Sequence, residues 1–260
     1  MTKGWLLGLL AIVAWVTIAS AAPKRELLVS AAISLKEPLQ EIGALFEQRH
    51  PDVKVVFNWG ASGALQQQIE RGAPVDVYVS AASKQMDELE AKGLLLSETR
   101  RTLTANLVVL IRSSALRSGL TSFKDLTKPE VKLIAIGNPG TVPAGEYAQR
   151  VLMSLGLWDS LQRKLIFTGN VRQVLAYVVR GEVEAALVYA TDAQSAGEAV
   201  QVVAAAPKES YPSVLYPIAV IKISKQSQEA RAFVDLTLSE AGQRILRAHG
   251  FLPPPKTLAR

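Results

Sequence analysis

The stretch VSAAISLKEPLQEIGALFEQ, Val29 to Gln48, begins with the apolar run of a buried strand and ends with the residue spacing of a helix. One stripe recurs at the period of an α-helix and consists of Leu35, Leu39, Ile42 and Phe46. Between the two segments lies AAIS, which is small and neutral, and Ser34 stands where the helix should begin. A strand that leads through a short turn into an amphipathic helix is a unit of α/β architecture.

The same alternation of strand-like and helix-like segments continues along the chain. Amphipathic stretches alternate with apolar runs such as VKVVFNW, DVYVSA, NLVVLI and AALVYA. Gly72 and Gly93 end two of the predicted helices, and Ser83 is the predicted N-cap of the second. Because continuous apolar strands are buried on both faces, the pattern predicts an α/β fold with largely parallel sheets flanked by helices. Two domains would need short crossing segments, for which residues 102–106 and 206–213 are the candidates.

The first residues are typical of an export signal. Lys3 precedes the 14 apolar residues WLLGLLAIVAWVTI, and the small residues ASA follow at 19–21. This pattern predicts a signal peptide over residues 1–21 that is cut after Ala21. An uncleaved membrane anchor is the alternative, although the run is short for a membrane span.

Composition argues against several function classes. Of the 260 residues, 49% are hydrophobic and 20% are charged, which predicts an ordered globular core. The chain has no Cys, which removes thiol catalysis and thiolate metal sites, and its two His, His50 and His249, sit near predicted helix ends. The net charge of +6 is scattered, so we do not expect nucleic-acid binding. We also expect no bound cofactor.

Five positions share one physical feature, because each lies at or beyond the carboxyl end of a predicted strand; all but Tyr189 also stand at or near the start of a predicted helix. They are Ser34, Ser62 in WGASGAL, Ala144 in NPGTVPAG, Val171 in TGNVRQVL and Tyr189 in LVYATD. In open α/β sheets, ligands bind at the carboxyl ends of the strands, where helix N-termini expose unpaired N–H groups. Several such termini with added hydroxyl donors predict an anion-binding site.

The predicted site carries no charge at its key positions, since none of the five is Lys, Arg or His. A fully deprotonated tetrahedral oxyanion needs only donors, whereas an anion that keeps a proton also needs an acceptor. Glu146 and Asp192 are close in sequence, but each stands past the critical position. The pattern therefore favours a dianion without a proton. Each residue also has a simpler interpretation when it is taken alone. Ser34 and Ser62 could be ordinary N-caps, and Tyr189 could be a packing residue.

Five stretches occur in order over essentially the whole chain after residue 21: AAISL, GASGALQQQIERGAPVDVYVSA, VPAGEYA, VRQVLAYVVRGEVEAALVYATDA and YPIAVI. Together they resemble the periplasmic molybdate-binding proteins of bacterial ABC transporters, which are type II periplasmic binding proteins. The resemblance implies two α/β lobes with the ligand in the cleft between them. Lobe I would comprise residues 22–104 and 206–260, and lobe II residues 105–205. Asp76 also matches a family position, and we expect it to be a structural hydrogen-bonding residue near the cleft.

In that family two serines, two main-chain amides and a tyrosine hydroxyl hold the oxyanion. The resemblance assigns these roles to Ser34, Ser62, the amides of Ala144 and Val171, and the hydroxyl of Tyr189. Many relatives have a run of serines around position 62, whereas this chain has GASGA. Ser62 therefore carries the one side-chain hydroxyl of that segment.

The resemblance implies a periplasmic, monomeric, non-enzymatic protein that captures molybdate or tungstate and delivers it to the membrane permease of an ABC importer. A carrier of sulfate or another tetrahedral oxyanion is the alternative, because sequence does not give the size of a cavity. An enzyme is a further alternative, although no acid–base pair stands at the strand ends. A detached sensory domain is another, but we recognise no DNA-binding or signalling segment. The sequence does not rank molybdate against tungstate.

Overall fold

The computed structural model describes residues 24–116 and 119–255. The predicted signal peptide, residues 1–21, lies outside the described residues. Ten strands and nine α-helices are assigned within them. The strands are β1 Arg25–Ala32, β2 Val53–Gly60, β3 Val77–Val79, β4 Arg101–Asn106, β5 Val108–Ser113, β6 Ile134–Gly137, β7 Leu165–Thr168, β8 Ala185–Tyr189, β9 Val200–Ala205 and β10 Val214–Val220. The helices are α1 Lys36–Arg49, α2 Ser62–Glu70, α3 Ser83–Ala91, α4 Pro143–Ser154, α5 Trp158–Leu161, α6 Val171–Val179, α7 Ala190–Ala196, α8 Ser227–Leu238 and α9 Glu240–Ala248.

The strands form two five-stranded sheets, in the orders β2-β1-β3-β10-β4 and β7-β6-β8-β5-β9. In the first sheet β10 runs antiparallel to both neighbours, and in the second sheet β5 does the same. The other pairings are parallel, with β1 beside β2 and β3 and β6 beside β7 and β8. The prediction of two largely parallel sheets flanked by helices is therefore confirmed.

The chain passes between the sheets at two places. Strand β4 ends at Asn106 in the first sheet, and β5 begins at Val108 in the second. Residues 206–213 lead back from β9 to β10. The first passage leads into β5 and the second into β10. Each of these two strands is antiparallel to its neighbours in the sheet, so the two halves have the same topology.

Burial explains why these segments form these elements. Every residue of β3 and β8 is buried, as expected of strands covered on both faces. Helix α1 buries Leu39, Ile42 and Phe46, the stripe predicted from their spacing. Gly72 and Gly93 end α2 and α3 with φ of +87° and +67°, in the left-handed region that glycine enters without strain.

The predicted N-cap of α3 is wrong by one residue. Ala82 is the extended residue that precedes the helix, so Ser83 is already helical and its hydroxyl does not cap. Along the described ranges, no helix is both long and apolar enough to cross a membrane.

Candidate anion-binding site

The five predicted site residues line one cavity between the two sheets. The cavity is small, and its lining among the described residues includes no charged side chain. Its lining is Ala32, Ile33, Ser34, Gly60, Ala61, Ser62, Ala81, Val142, Pro143, Ala144, Val171 and Tyr189. We call the residues from the first sheet and its helices (Ala32 to Ala81) the first wall, and those from the second (Val142 to Tyr189) the second wall.

Ser34 lies in the first wall, in a 3-10 turn between β1 and α1. Its side chain is buried, and its Oγ lies 3.2 Å from the hydroxyl of Tyr216 on β10. The position before α1 is Leu35, and no side chain caps that helix. Ser34 is thus not an N-cap, and its hydroxyl is held at the cavity by a tyrosine distant in sequence.

Ser62 is the first residue of α2 and lies directly beyond β2. The main-chain N–H of Ala81 donates to its Oγ at 2.9 Å, and the Tyr78 hydroxyl donates to its carbonyl oxygen at 2.8 Å. These two contacts fix both ends of the residue. Here too no side chain caps the helix, so the N-cap alternative does not hold for Ser62.

Two helix N-termini form most of the second wall. Pro143, which has no N–H, occupies the first position of α4, so Ala144 carries the first free amide of that helix. Val171 is the first residue of α6, where the side chain of Asn170 accepts a hydrogen bond from the Gln173 N–H at 3.0 Å. The cap therefore binds the amide of Gln173, the third residue of the helix, and does not occupy the amide of Val171, which lines the cavity.

Tyr189 ends β8 and completes the second wall. Its side chain is 1% exposed, yet its hydroxyl has no hydrogen-bond partner among the described residues. Its ring packs edge-on between Tyr147 and Tyr216, with centroids 6.5 and 5.9 Å away. Burial raises its pKa well above the usual value, so the hydroxyl keeps its proton. A buried hydroxyl left without a partner costs about 1–3 kcal/mol, which marks it as a donor for a ligand.

The two walls touch each other beside the cavity. The amide of Gly63 on α2 donates to the carbonyl oxygen of Thr141, across the cleft, at 3.1 Å. A Cβ on Gly63 would come within 2.7 Å of that oxygen, so the approach requires glycine. Near the rim, Glu37 of α1 pairs with Arg172 of α6 at 2.5 Å. The structure therefore has the walls closed on each other.

The charges nearest the cavity are turned away from it. Arg172 follows Val171 directly, but its guanidinium lies between Glu37 and the buried carboxyl of Asp192, 3.1 Å from Nε to Oδ1. Burial raises the pKa of Asp192 to about 7, and Arg172 opposes that rise only in part. Sequence reasoning did not find this cluster, because its members come from three separate elements.

Asp76 is structural, as expected, but it does not lie near the cleft. Its carboxylate accepts from the Leu28 N–H at 2.8 Å and from the Ser224 hydroxyl at 2.6 Å. It precedes β3, and the cavity lies beyond the other end of that strand. This part of the prediction, which came from the family resemblance, is wrong, because Asp76 stands at the amino end of β3 and the cavity lies at the carboxyl ends of the strands.

Over residues 24–116 and 119–255, no cluster of three or more His, Cys, Asp or Glu could hold a metal cation. His50 and His249 stand at the ends of α1 and α9, as their sequence positions predicted. The cavity offers hydroxyls and amides, and these are the groups that bind anions rather than cations.

The chain is similar to known solute-binding proteins in sequence and in fold. The family model described as bacterial extracellular solute-binding protein matches residues 27–252. The chain is 34% identical over 238 residues to the molybdate-binding protein ModA of Haemophilus influenzae, covering 89% of this chain and 92% of the relative.

Two solved structures are also similar. The periplasmic molybdate-binding protein of Azotobacter vinelandii matches with a TM-score of 0.78 and 25% identity, over 88% of this chain and 100% of that one. A chain from Clostridium difficile, described as the substrate binding domain of a proposed molybdenum ABC transporter, matches with a TM-score of 0.69 and 41% identity. That match covers 89% of this chain and 100% of the other.

Proposed function

Because the chain belongs to the bacterial extracellular solute-binding protein family, we propose that it captures molybdate, or tungstate, and delivers it to an ABC importer. The observation that carries the proposal is the hydroxyl of Tyr189, which is buried, keeps its proton and has no hydrogen-bond partner among the described residues, at a cavity bordered by neutral donors. Molybdate and tungstate are fully deprotonated tetrahedral dianions near neutral pH and can accept hydrogen bonds at every oxygen. Similarity to molybdate-binding proteins supports this choice of ligand.

The donors we assign are the hydroxyls of Ser34, Ser62 and Tyr189 and the main-chain amides of Ala144 and Val171. All five residues line the cavity. A hydroxyl that already accepts a hydrogen bond, as Ser62 does from Ala81, directs its own proton elsewhere. A wall of donors favours an anion without a proton, because an anion that carries one would face no acceptor.

Neutral donors are strong enough to hold such an ion. Each charge-assisted hydrogen bond contributes roughly 1.5–3 kcal/mol. A set of five, reduced by the costs of ordering and desolvation, supports a Kd below about 1 μM, which corresponds to about −8 kcal/mol. A charged clamp is therefore not required for tight binding.

The assigned donors come from both walls, so a bound oxyanion bridges them. Such a ligand binds the closed arrangement better than an open one and shifts the population towards it. We propose that the closed form, as a monomer, is what the membrane permease recognises. Lobe I, residues 22–104 and 206–260, would then close on lobe II, residues 105–205. Catalysis forms no part of this function.

We propose that the protein acts in the periplasm. The family is extracellular, which agrees with the apolar segment at the start of the chain. We propose that residues 1–21 act as the export signal and that the mature chain begins after Ala21.

A calorimetric titration of the mature protein with molybdate and with tungstate tests the function. We expect one site per chain for at least one of these ions, and excess sulfate should compete poorly. A thermal scan gives a second readout, because ligand at about 100 times its Kd stabilises the folded state by about 2.7 kcal/mol. If neither ion binds and sulfate does, the chain is a sulfate carrier and the proposal is wrong.

A further inference from the structure

We propose that Tyr216 and Asn106 set the direction of the Ser34 hydroxyl, so that this serine donates its proton into the cavity. Neither residue lines the cavity, and both act through Ser34 as positioning residues. The inference rests on the proposed function, because it explains how one donor of that site acquires its polarity. Three hydrogen bonds connect the Leu107 N–H, between the two sheets, with Ser34 at the cavity.

The amide of Asn106 fixes the first step. Its Oδ1 accepts from the main-chain N–H of Leu107 at 2.9 Å, and an N–H can only donate. That contact identifies the oxygen and leaves Nδ2 facing the Tyr216 hydroxyl at 3.3 Å and the Thr191 hydroxyl at 2.9 Å. Because an amide nitrogen only donates, Tyr216 must accept from Asn106.

The hydroxyl of Tyr216 lies between Asn106 and Ser34 and makes a hydrogen bond to each. The side chain is completely buried, and burial raises its pKa well above the usual value, so it keeps its proton. Its two partners in the described chain are Asn106 and Ser34. Since the contact with Asn106 uses a lone pair, the proton of Tyr216 points at the Oγ of Ser34, 3.2 Å away.

Ser34 then accepts from Tyr216 and has its own proton left for the cavity. Ser62 reaches the same state in one step, since the Ala81 N–H donates to its Oγ. Both serines of the first wall are therefore set as donors before a ligand arrives. A network that fixes the protons in advance spares the ligand the cost of reorienting them.

A double-mutant cycle between Tyr216→Phe and Ser34→Ala tests the relay, with molybdate affinity measured by calorimetry. Ser34→Ala should weaken binding by about tenfold to hundredfold, the value of a hydrogen bond to an anion. Tyr216→Phe should weaken it by about threefold to tenfold, because the serine keeps its place but loses its fixed direction. In the Ser34→Ala background the same change should cost less than about twofold, since the group it orients is gone.

Thr191→Val is the matched control. It removes the other hydroxyl that Asn106 contacts, at a similar distance, but leaves the route from Asn106 through Tyr216 to Ser34 intact. We expect it to change molybdate affinity by less than about twofold. Thermal unfolding of each ligand-free variant shows that the fold is kept.

The outcomes separate this inference from the function. If Tyr216→Phe costs as much in the Ser34→Ala background as alone, Tyr216 acts through packing and the relay is wrong. An affinity unchanged by Tyr216→Phe alone would also overturn it. If the unmodified protein does not bind molybdate or tungstate at all, the proposed function fails instead.

Discussion

The two walls of the cavity supply donors in different ways. In the first wall, the hydroxyls of Ser34 and Ser62 already have protein partners, Tyr216 and the Ala81 N–H. In the second wall, the amides of Ala144 and Val171 stand at helix starts, and the buried Tyr189 hydroxyl has no partner in the described chain. In the first wall the serine oxygens already accept hydrogen bonds from the protein and only their protons await a ligand, whereas in the second wall the Tyr189 hydroxyl makes no hydrogen bond to the described residues.

This difference decides what substitutions can reveal. Main-chain amides survive a change of side chain, so side-chain variants of the second wall probe mainly Tyr189. Variants of the first wall remove a hydroxyl from the ligand and also from a protein partner. The predictions below separate these effects, beginning with a variant that keeps the walls apart.

Gly63→Ala should have the largest effect on binding. Its Cβ would lie 2.7 Å from the Thr141 carbonyl oxygen in the closed structure, so the walls cannot meet. With donors of one wall out of reach, at least two charge-assisted bonds weaken, and we expect molybdate affinity to fall by about hundredfold or more. Calorimetric titration measures the loss.

Gly119→Ala serves as the control for an added methyl group, because no atom of the described residues beyond its chain neighbours lies within 4 Å of the position that its Cβ would take. Its affinity should match that of the unmodified protein. Equal affinities for Gly63→Ala and Gly119→Ala would show that the ligand does not need the walls to touch.

Tyr189→Phe should weaken molybdate binding by about tenfold to hundredfold through loss of one donor. The ligand-free protein should be as stable as before or more stable, because the variant removes a buried polar group that lacks a partner. Titration and urea unfolding of the same sample test both parts. A variant that is clearly less stable without ligand would mean that the hydroxyl serves the fold.

Ser62→Ala should weaken binding to a similar degree but with the opposite effect on the ligand-free protein. The Ala81 N–H would lose its acceptor, so we expect the free energy of unfolding to fall by about 1–3 kcal/mol. The measurement is urea unfolding beside Tyr189→Phe. If both variants shift stability in the same direction, the contrast between the walls is not real.

Asp192→Asn should change how stability depends on pH, by about 1–2 kcal/mol. Burial raises the pKa of Asp192 from the usual 3.8 to about 7. Since the folded-state pKa lies above that of an unfolded carboxyl, the protonated form stabilises the fold at low pH, and this contribution is lost as pH rises through about 7.

We therefore expect the unmodified protein to lose stability between about pH 5 and about pH 8, and Asp192→Asn to lose less. Urea unfolding at both pH values gives the comparison. Identical pH dependence in the two proteins would show that Asp192 is ionised throughout this range and paired with Arg172.

The sequence was sufficient for the order of elements and for the cavity residues. Buried strands read as apolar runs, and Ser34, Ser62, Ala144, Val171 and Tyr189 could be grouped because carboxyl ends of strands share one edge. Their roles as ligand donors stay a prediction.

The sequence was insufficient for contacts made by distant elements. Tyr216 lies in the motif YPIAVI, yet it meets Ser34 across a separation of 182 residues. The pairing of Arg172 with Glu37 depends on wall closure, and its pairing with Asp192 depends on the packing of α6 beside α7; no local sequence pattern encodes either contact. Asp76 was misplaced because its match to a family position was followed, although it precedes its strand and the site lies at the carboxyl ends of the strands.

A crystal structure of the mature protein grown with molybdate, with molybdenum located by its anomalous scattering, tests the central claim most directly. We expect one molybdenum between the walls, its oxygens within hydrogen-bond distance of the Ser34, Ser62 and Tyr189 hydroxyls and the Ala144 and Val171 amides. Molybdenum bound outside this cavity, or held by lysine or arginine side chains, would contradict the account.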